Sequence, residues 1–317
     1  MNNKLEQIKL SSTVTESLNG KRLDQALAAL FPEHSRSRLQ EWNKSGFIKI
    51  NQEIRRQRDT VKTGEQIEII ADIKIASPNH AEPIPLSILH EDEDIIILNK
   101  PPGLVVHPGA GNSSHTLLNA LLHHYPKLET LPRAGIVHRL DKDTSGIMVV
   151  AKTLQAHTML VRSLQKREIG REYQAIVLGR ITSGGQVNAN IGRHPTQRTK
   201  MAVSPNGGKP ACTHYKVINK YAGCTHLHLK LESGRTHQIR VHMAHIHHPV
   251  FGDSQYGGKR PIKNMTDDLK TLLIKFGRQA LHAFELTLTH PKSNQMMSWQ
   301  AVLPDDMLKL INFLENE

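Results

Sequence analysis

Apolar residues recur at helical spacing at Leu23, Leu27 and Leu30 until Pro32 interrupts them. A second helix is predicted from a Ser35 cap through Leu39 and Trp42, ended by Gly46. The period then shortens to two, and residues 47–50 and 66–70 alternate as strands around a polar turn. Residues 1–70 thus form an expected small module of two helices and a hairpin. Residues 71–85, with Pro78, Pro83 and Pro85, have the composition of a linker. In the remainder, 86–317, the two periods mix irregularly. Strands are predicted at 94–98, 146–151, 172–178, 212–218, 225–231 and 281–289, and helices at 116–124, 154–166, 236–246 and 266–276. There is no strict βαβ alternation and no phosphate-binding glycine fingerprint, which disfavours a nucleotide-cofactor fold. The expected class is α+β, a mixed and largely antiparallel sheet flanked by helices and preceded by a small α/β module.

Charge narrows the range of partners. The 317 residues hold 41 Lys+Arg against 29 Asp+Glu, a net charge of +12. Half of that excess falls within residues 161–200, where Arg162, Lys166, Arg167, Arg171, Arg180, Arg193, Arg198 and Lys200 face only Glu168 and Glu172. A concentrated positive field attracts phosphate backbones and releases their counterions on binding. The small module adds Arg36, Arg38, Lys44, Arg55, Arg56 and Arg58. Aromatic content of 4% leaves little capacity for stacking platforms along a single strand. No run of 18 apolar residues suggests a membrane span, and the polar start of the chain has no signal-peptide core. Two cysteines fit a reducing, cytoplasmic setting.

The chemistry concentrates in Gly135-Ile-Val-His-Arg-Leu-Asp-Lys-Asp-Thr-Ser-Gly146, a charged loop running into the apolar stretch 147–151. Taken alone, it is either a solvated turn or a set of catalytic groups held on a loop by a rigid strand. The pair Asp141 and Asp143 also admits a glycosidase.

The order His-Arg-Leu-Asp-Lys-Asp-Thr-Ser-Gly resembles the signature of pseudouridine synthases of the ribosomal large-subunit type, with their catalytic aspartate at Asp141. The resemblance runs nearly end to end. Residues 91–108, with Asn-Lys-Pro-Pro-Gly-Leu-Val-Val-His-Pro, match the first motif. Arg171-Glu-Tyr-Gln-Ala175 matches the segment of the active-site tyrosine, Tyr173. Leu231-Glu-Ser-Gly-Arg-Thr-His-Gln-Ile-Arg-Val-His242 matches the third motif. The resemblance implies Arg235 as the partner of Asp141 and Arg139 as the side chain that fills the space of a flipped base. His138, Arg193, Arg198 and Lys200 join the expected RNA contacts. The module, through Arg22-Leu-Asp and Ser35-Arg-Ser-Arg-Leu-Gln40, resembles an RNA-binding unit shared with a small-subunit ribosomal protein and tyrosyl-tRNA synthetases.

Implied with it are a pseudouridine synthase fold, isomerisation of uridine without a cofactor, and a monomer acting in the cytoplasm. The implied substrate is 23S rRNA within a large-subunit precursor, at the hairpin loop of domain IV (helix 69). Other rRNA or tRNA uridines, or a non-catalytic assembly role, are the alternatives. A cross-hairpin metal cluster of Cys212, His214, Cys224 and His226 is geometrically conceivable. Its spacing matches no zinc-finger pattern, and no metal is expected.

Overall fold

The computed structural model describes residues 5–317 except 33, 35, 75–79, 110, 198, 206 and 262–264. The chain divides into two compact units, Met1–Asn79 and His80–Glu317. The cap expected at Ser35 and the RNA contact expected at Arg198 lie outside the described residues, as does the middle of the expected linker.

The first unit contains β1 (Leu5–Thr13), α1 (Leu23–Leu30), α2 (Arg36–Lys44), β2 (Ile48–Ile50) and β3 (Gln66–Lys74). The three strands form an antiparallel sheet in the order β1-β3-β2. Its core is its own: Leu23 and Leu27 of α1 and Leu39 and Trp42 of α2 close on Ile48, Ile50, Ile67 and Ile69. Alternation in β2 puts Ile48 and Ile50 inside and Lys49 in solvent. β3 continues to Lys74, and beyond the undescribed stretch His80 and Glu82 are already bonded to Asn119, so the expected linker contributes to both units.

In the second unit the order is β4 (Ser87–Glu91), β5 (Ile95–Lys100), α3 (Leu117–His124), β6 (Ser145–Ala151), α4 (Leu154–Lys166), β7 (Gly170–Leu178), β8 (Gly185–Asn188), β9 (Ile191–Arg193), β10 (Met201–Val203), β11 (Cys212–Lys220), β12 (Cys224–Leu231), α5 (Gln238–His245), α6 (Asp267–Lys275), β13 (Leu281–Thr289), β14 (Met296–Gln300) and α7 (Asp305–Glu315). The main sheet runs β4-β5-β6-β13-β7-β12-β11-β8, with β14 also on β13 and a separate β9–β10 ribbon. Every pairing is antiparallel except β6 with β13. Both faces are covered, as the unbroken apolar run of β6 requires. Ile96, Leu98, Met148 and Val150 pack on one side with α3 and α5, while Ile95, Ile97, Ile147 and Val149 pack on the other with α4. Farther along the sheet, Ile176 and Leu178 of β7 meet α6 and α7.

The parallel pairing of β6 with β13 joins Ser145 to His282 and Gly146 to Ala283. Gly146 has φ 121°, and a Cβ there would strike the Ala283 backbone, so only glycine permits this approach. The loop that ends at this junction carries Asp141.

Candidate active site

A cleft of about 1550 Å³ opens at this end of the sheet. Its walls come from residues 105–109, Arg133, 136–144, Arg171 and Tyr173 of β7, 231–240, Gln255, and Gln279 with Leu281. Asp141 and Tyr173 both line it.

Three side chains hold the segment just after Asp141. The Lys142 carbonyl accepts from Lys100 Nζ at 2.9 Å and from Gly103 N at 2.9 Å. The Asp143 carbonyl accepts from Arg278 Nη1 at 3.2 Å, and Gln279 Nε2 donates to Thr144 Oγ1 at 3.0 Å. Arg278 is itself fixed by Asp306 through bonds of 2.7 and 2.8 Å. Before Asp141, His138 Nε2 accepts from Val149 N of β6 at 3.1 Å. Burial, reinforced by Arg171, pushes this imidazole down to about 3. His138 was expected to contact RNA; its Nε2 instead fastens the loop to the strand.

Lys100 is 0% exposed, and its other two acceptors are the carbonyls of Pro101 (2.7 Å) and Leu104 (3.0 Å). Burial pulls its pKa down to about 7, against Asp143 and Asp141, which favour the charge. An ammonium has three protons for three carbonyls, whereas a neutral amine would leave one carbonyl unmatched. The geometry therefore favours the charged form.

The partner of Asp141 is Arg240, not Arg235. Arg240 Nη1 donates to Asp141 Oδ2 at 3.0 Å. Its Nε and Nη2 grip Asp253 at 2.6 and 3.0 Å, and Nη2 also reaches Gln255 Oε1 at 3.1 Å. Burial works against the guanidinium charge, but Asp253 and Asp141 outweigh it and raise the Arg240 pKa. Arg235 sits on the turn before α5 and directs Nε at the Pro210 carbonyl, 3.3 Å away, though it still lines the cleft. The physical reason lies at the helix start. His237 has φ 56° as the residue before α5, which turns the chain so that Arg240 falls on the buried side. His237 itself approaches Asp141 Oδ1 at 3.7 Å, with its Nδ1 and the Tyr256 hydroxyl 2.8 Å apart.

Tyr173 is 7% exposed, on the buried face of β7. Burial raises its pKa, Arg171 opposes the rise and Asp141 adds to it, so the phenol stays protonated at neutral pH.

Arg139 and Lys142 are exposed at the cleft, and Lys200 is half-buried in its wall. Arg193 is exposed on β9 and does not line the cleft. In the first unit Arg36, Arg38, Lys44 and Arg56 are exposed. Arg55 is half-buried and pairs with Glu65 at 2.9 Å, which reduces what it can offer to RNA.

The imagined four-residue metal cluster does not form. Thr213 pairs with Leu231 and Lys220 with Thr225, which puts Cys212 and Cys224 at opposite ends of the hairpin, roughly 25 Å apart at the usual rise per residue. His214 bonds Glu232 at 2.7 Å, and His226 bonds Gln174 at 2.9 Å.

Sequence reasoning missed Lys100, Arg240, Asp253 and Arg278. A signal existed for Arg240: three residues after His237 on a helix, it shares that residue's face, whereas Arg235 precedes the helix. Asp253 gave no such signal, because its link to Arg240 is purely tertiary.

The chain is similar to known proteins over nearly its full length. Residues 94–245 match the RNA pseudouridylate synthase family model, and residues 21–67 match that of the S4 domain. The chain is 56% identical over 313 residues to the Haemophilus influenzae ribosomal large subunit pseudouridine synthase D, covering 98% of this chain and 96% of that one. It is 54% identical to the Escherichia coli K12 protein of the same name, covering 98% and 95%. A solved structure, human RNA pseudouridylate synthase domain containing 4, shares the fold at a TM-score of 0.56 and 24% identity, covering 72% of this chain and 93% of that one.

Proposed function

The chain belongs to the RNA pseudouridylate synthase family, and on that premise we propose that it isomerises uridines of 23S rRNA in a large-subunit precursor, with Asp141 as its catalytic carboxylate. The observation that carries this reading is Asp141 itself: 16% exposed, bonded to Arg240 and set beside Tyr173 in a basic cleft. RNA is the substrate class, and no helix among the described residues is long and apolar enough to cross a membrane. The proposal extends to the helix 69 hairpin loop as target, to a monomer, and to the cytoplasm as its place of action.

Isomerisation breaks the bond between the sugar and N1 of uracil, turns the base, and joins C5 to the same sugar carbon, while C5 gives up its proton and N1 takes one up. No electrons are gained or lost overall. A flipped uridine enters the cleft at a cost of a few kcal/mol, about what unstacking one base requires. Asp141 acts as the ionised group at the reacting nucleoside, with Arg240 favouring its charge. Tyr173 gives the uracil a flat, buried surface to pack against. Arg139, exposed two residues before Asp141, fills the place the base has left. The first unit, with Arg36, Arg38, Lys44 and Arg56 in solvent, holds RNA outside the cleft.

The test is pseudouridine mapping in 23S rRNA transcripts treated with the purified protein and with Asp141→Asn. The expected result is modification in the helix 69 loop by the native protein. The variant should be slower by roughly three orders of magnitude, with little change in RNA affinity. An Asp141→Asn protein that modifies at the native rate would remove Asp141 from the chemistry.

A further inference from the structure

Arg171 is a buried cation that the mechanism above leaves without work. It is 8% exposed and alternates with Tyr173 on the inward face of β7, so both side chains line the cleft. Its Nε is fully buried with no hydrogen-bond partner, and among the described residues no carboxylate pairs with its guanidinium. Of the acidic groups nearest in sequence or on the cleft wall, Asp143 forms no ion pair with Arg171 and the others are engaged elsewhere. Glu172 faces the other way and bonds His228 at 2.8 Å, Glu232 bonds His214 at 2.7 Å, and Asp141 bonds Arg240 at 3.0 Å. His138, on the same wall, is neutral and adds no second positive charge beside it. Gly234 lies against the guanidinium, where a Cβ would strike Nη1.

A buried guanidinium is ordinarily paired, because a lone charge out of water is costly. An orphaned one facing a substrate cleft calls for an anion from the substrate. RNA brings one anion per nucleotide, and a phosphodiester offers the paired oxygens that a guanidinium fork engages. Residues i and i+2 of a strand stand roughly 7 Å apart, so a base packed on Tyr173 leaves its own backbone near Arg171. We propose that Arg171 binds a phosphodiester group directly bordering the target uridine, and so fixes the flipped nucleotide relative to Asp141. This rests on the reading that the uridine is isomerised in this cleft. Arg171 thereby differs from the exposed rim cations, whose contacts add affinity without setting the position of one nucleotide.

The experiment pairs protein variants with a neutralised substrate. Hairpin RNAs carrying the target uridine are made with a normal backbone, or with one uncharged methylphosphonate on its 5′ or its 3′ side. Values of kcat/KM are measured for the native protein, Arg171→Met and Arg171→Lys. One of the two neutral linkages should slow the native protein about tenfold or more, the loss expected of a charge-assisted bond. That linkage should have no further effect in Arg171→Met, because the bond is already gone. Arg171→Lys, which keeps the charge but not the fork, should show an intermediate penalty and decides the matter if the methionine variant does not fold. Penalties that simply multiply in the variants, or a native protein indifferent to both linkages, would overturn the assignment. A native protein that makes no pseudouridine in any of the RNAs is a different failure, that of the proposed function itself.

Discussion

Asp141 and Asp253 share one guanidinium. Arg240 reaches the first at 3.0 Å while the second, 0% exposed at its side chain, clamps the rest of the fork at 2.6 and 3.0 Å. The cleft-facing carboxylate is therefore aimed by a pair that is itself buried. Arg240→Met should cost about 3–5 kcal/mol of stability, because it strands the Asp253 charge. It should also lower turnover by about a hundredfold or more, whereas Arg235→Met should stay within about tenfold of the native protein. Thermal melts and pseudouridine formation on one hairpin decide the order. A larger loss of turnover from Arg235 would reinstate it as the partner of Asp141.

Lys100 acts on the same carboxylate from behind. Lys100→Met leaves the Pro101 and Leu104 carbonyls without their donor and takes one of its two donors from the Lys142 carbonyl beside Asp141. The expected cost is about 3 kcal/mol or more, with turnover falling and KM little changed, since no substrate contact is removed. A variant that melts and turns over like the native protein would show that Gly103 alone holds the loop.

Acid should loosen the second unit early. His282 is 1% exposed, with Nδ1 2.9 Å from Ser145 Oγ and Nε2 3.3 Å from the Ala301 carbonyl. Burial pushes it down to about 4, the Ala301 bond pulls the other way, and Arg278 adds to the fall. Unfolded histidine titrates near 6.5. Its contribution is thus complete above pH 6.5 and is lost as pH falls toward 4, where the unfolded chain binds the extra proton. His282→Gln should flatten the decline by up to one proton, about 1.4 kcal/mol per pH unit. Urea unfolding at pH 6.5, 5.5 and 4.5 measures both slopes, and equal slopes would mean that the folded ring carries the charge.

The first unit has its own core and an exposed set of cations. A protein starting at His80 should fold, bind structured rRNA more weakly and show a shallower dependence of log affinity on log salt. Affinity titrations at several salt concentrations, on a short hairpin and on a longer fragment, compare the two forms. Identical slopes would remove this unit from RNA binding.

Elements whose periodicity was strong were legible in the sequence. The helices expected at 154–166 and 266–276 appear at Leu154–Lys166 and Asp267–Lys275, and the strand at 281–289 at Leu281–Thr289. β14 escaped because it is a half-exposed strand whose alternation carries little apolar contrast. α7 was missed despite Asp305 and Asp306 in its first turn and Met307, Leu310 and Leu314 at helical spacing, a signal present but not weighed. In the site, Asp141 and Tyr173 could be placed from their motifs, since each sits at a fixed position beside a strand. Arg235 and Arg240 share one motif, and the choice between them depended on where a helix begins. The contacts of Lys100 with Lys142 and of Arg278 with Asp143 join residues 42 and 135 positions apart, and local sequence carries no trace of them.

The parallel junction of β6 and β13 also sets the order in which the molecule can be completed on the ribosome. Ser145 and His282 meet across 137 residues of chain. The edge of β6 that meets β13 at Ser145 and Gly146 must wait for that length to be synthesised. At ordinary elongation rates this takes on the order of ten seconds. During that interval β6 is paired with β5 alone, its other edge is open, and, because Gln279 and Arg278 have not yet been made, the Asp141 loop lacks two of its three anchors. Premature termination anywhere before β13 would therefore yield a sticky, inactive fragment rather than a smaller enzyme.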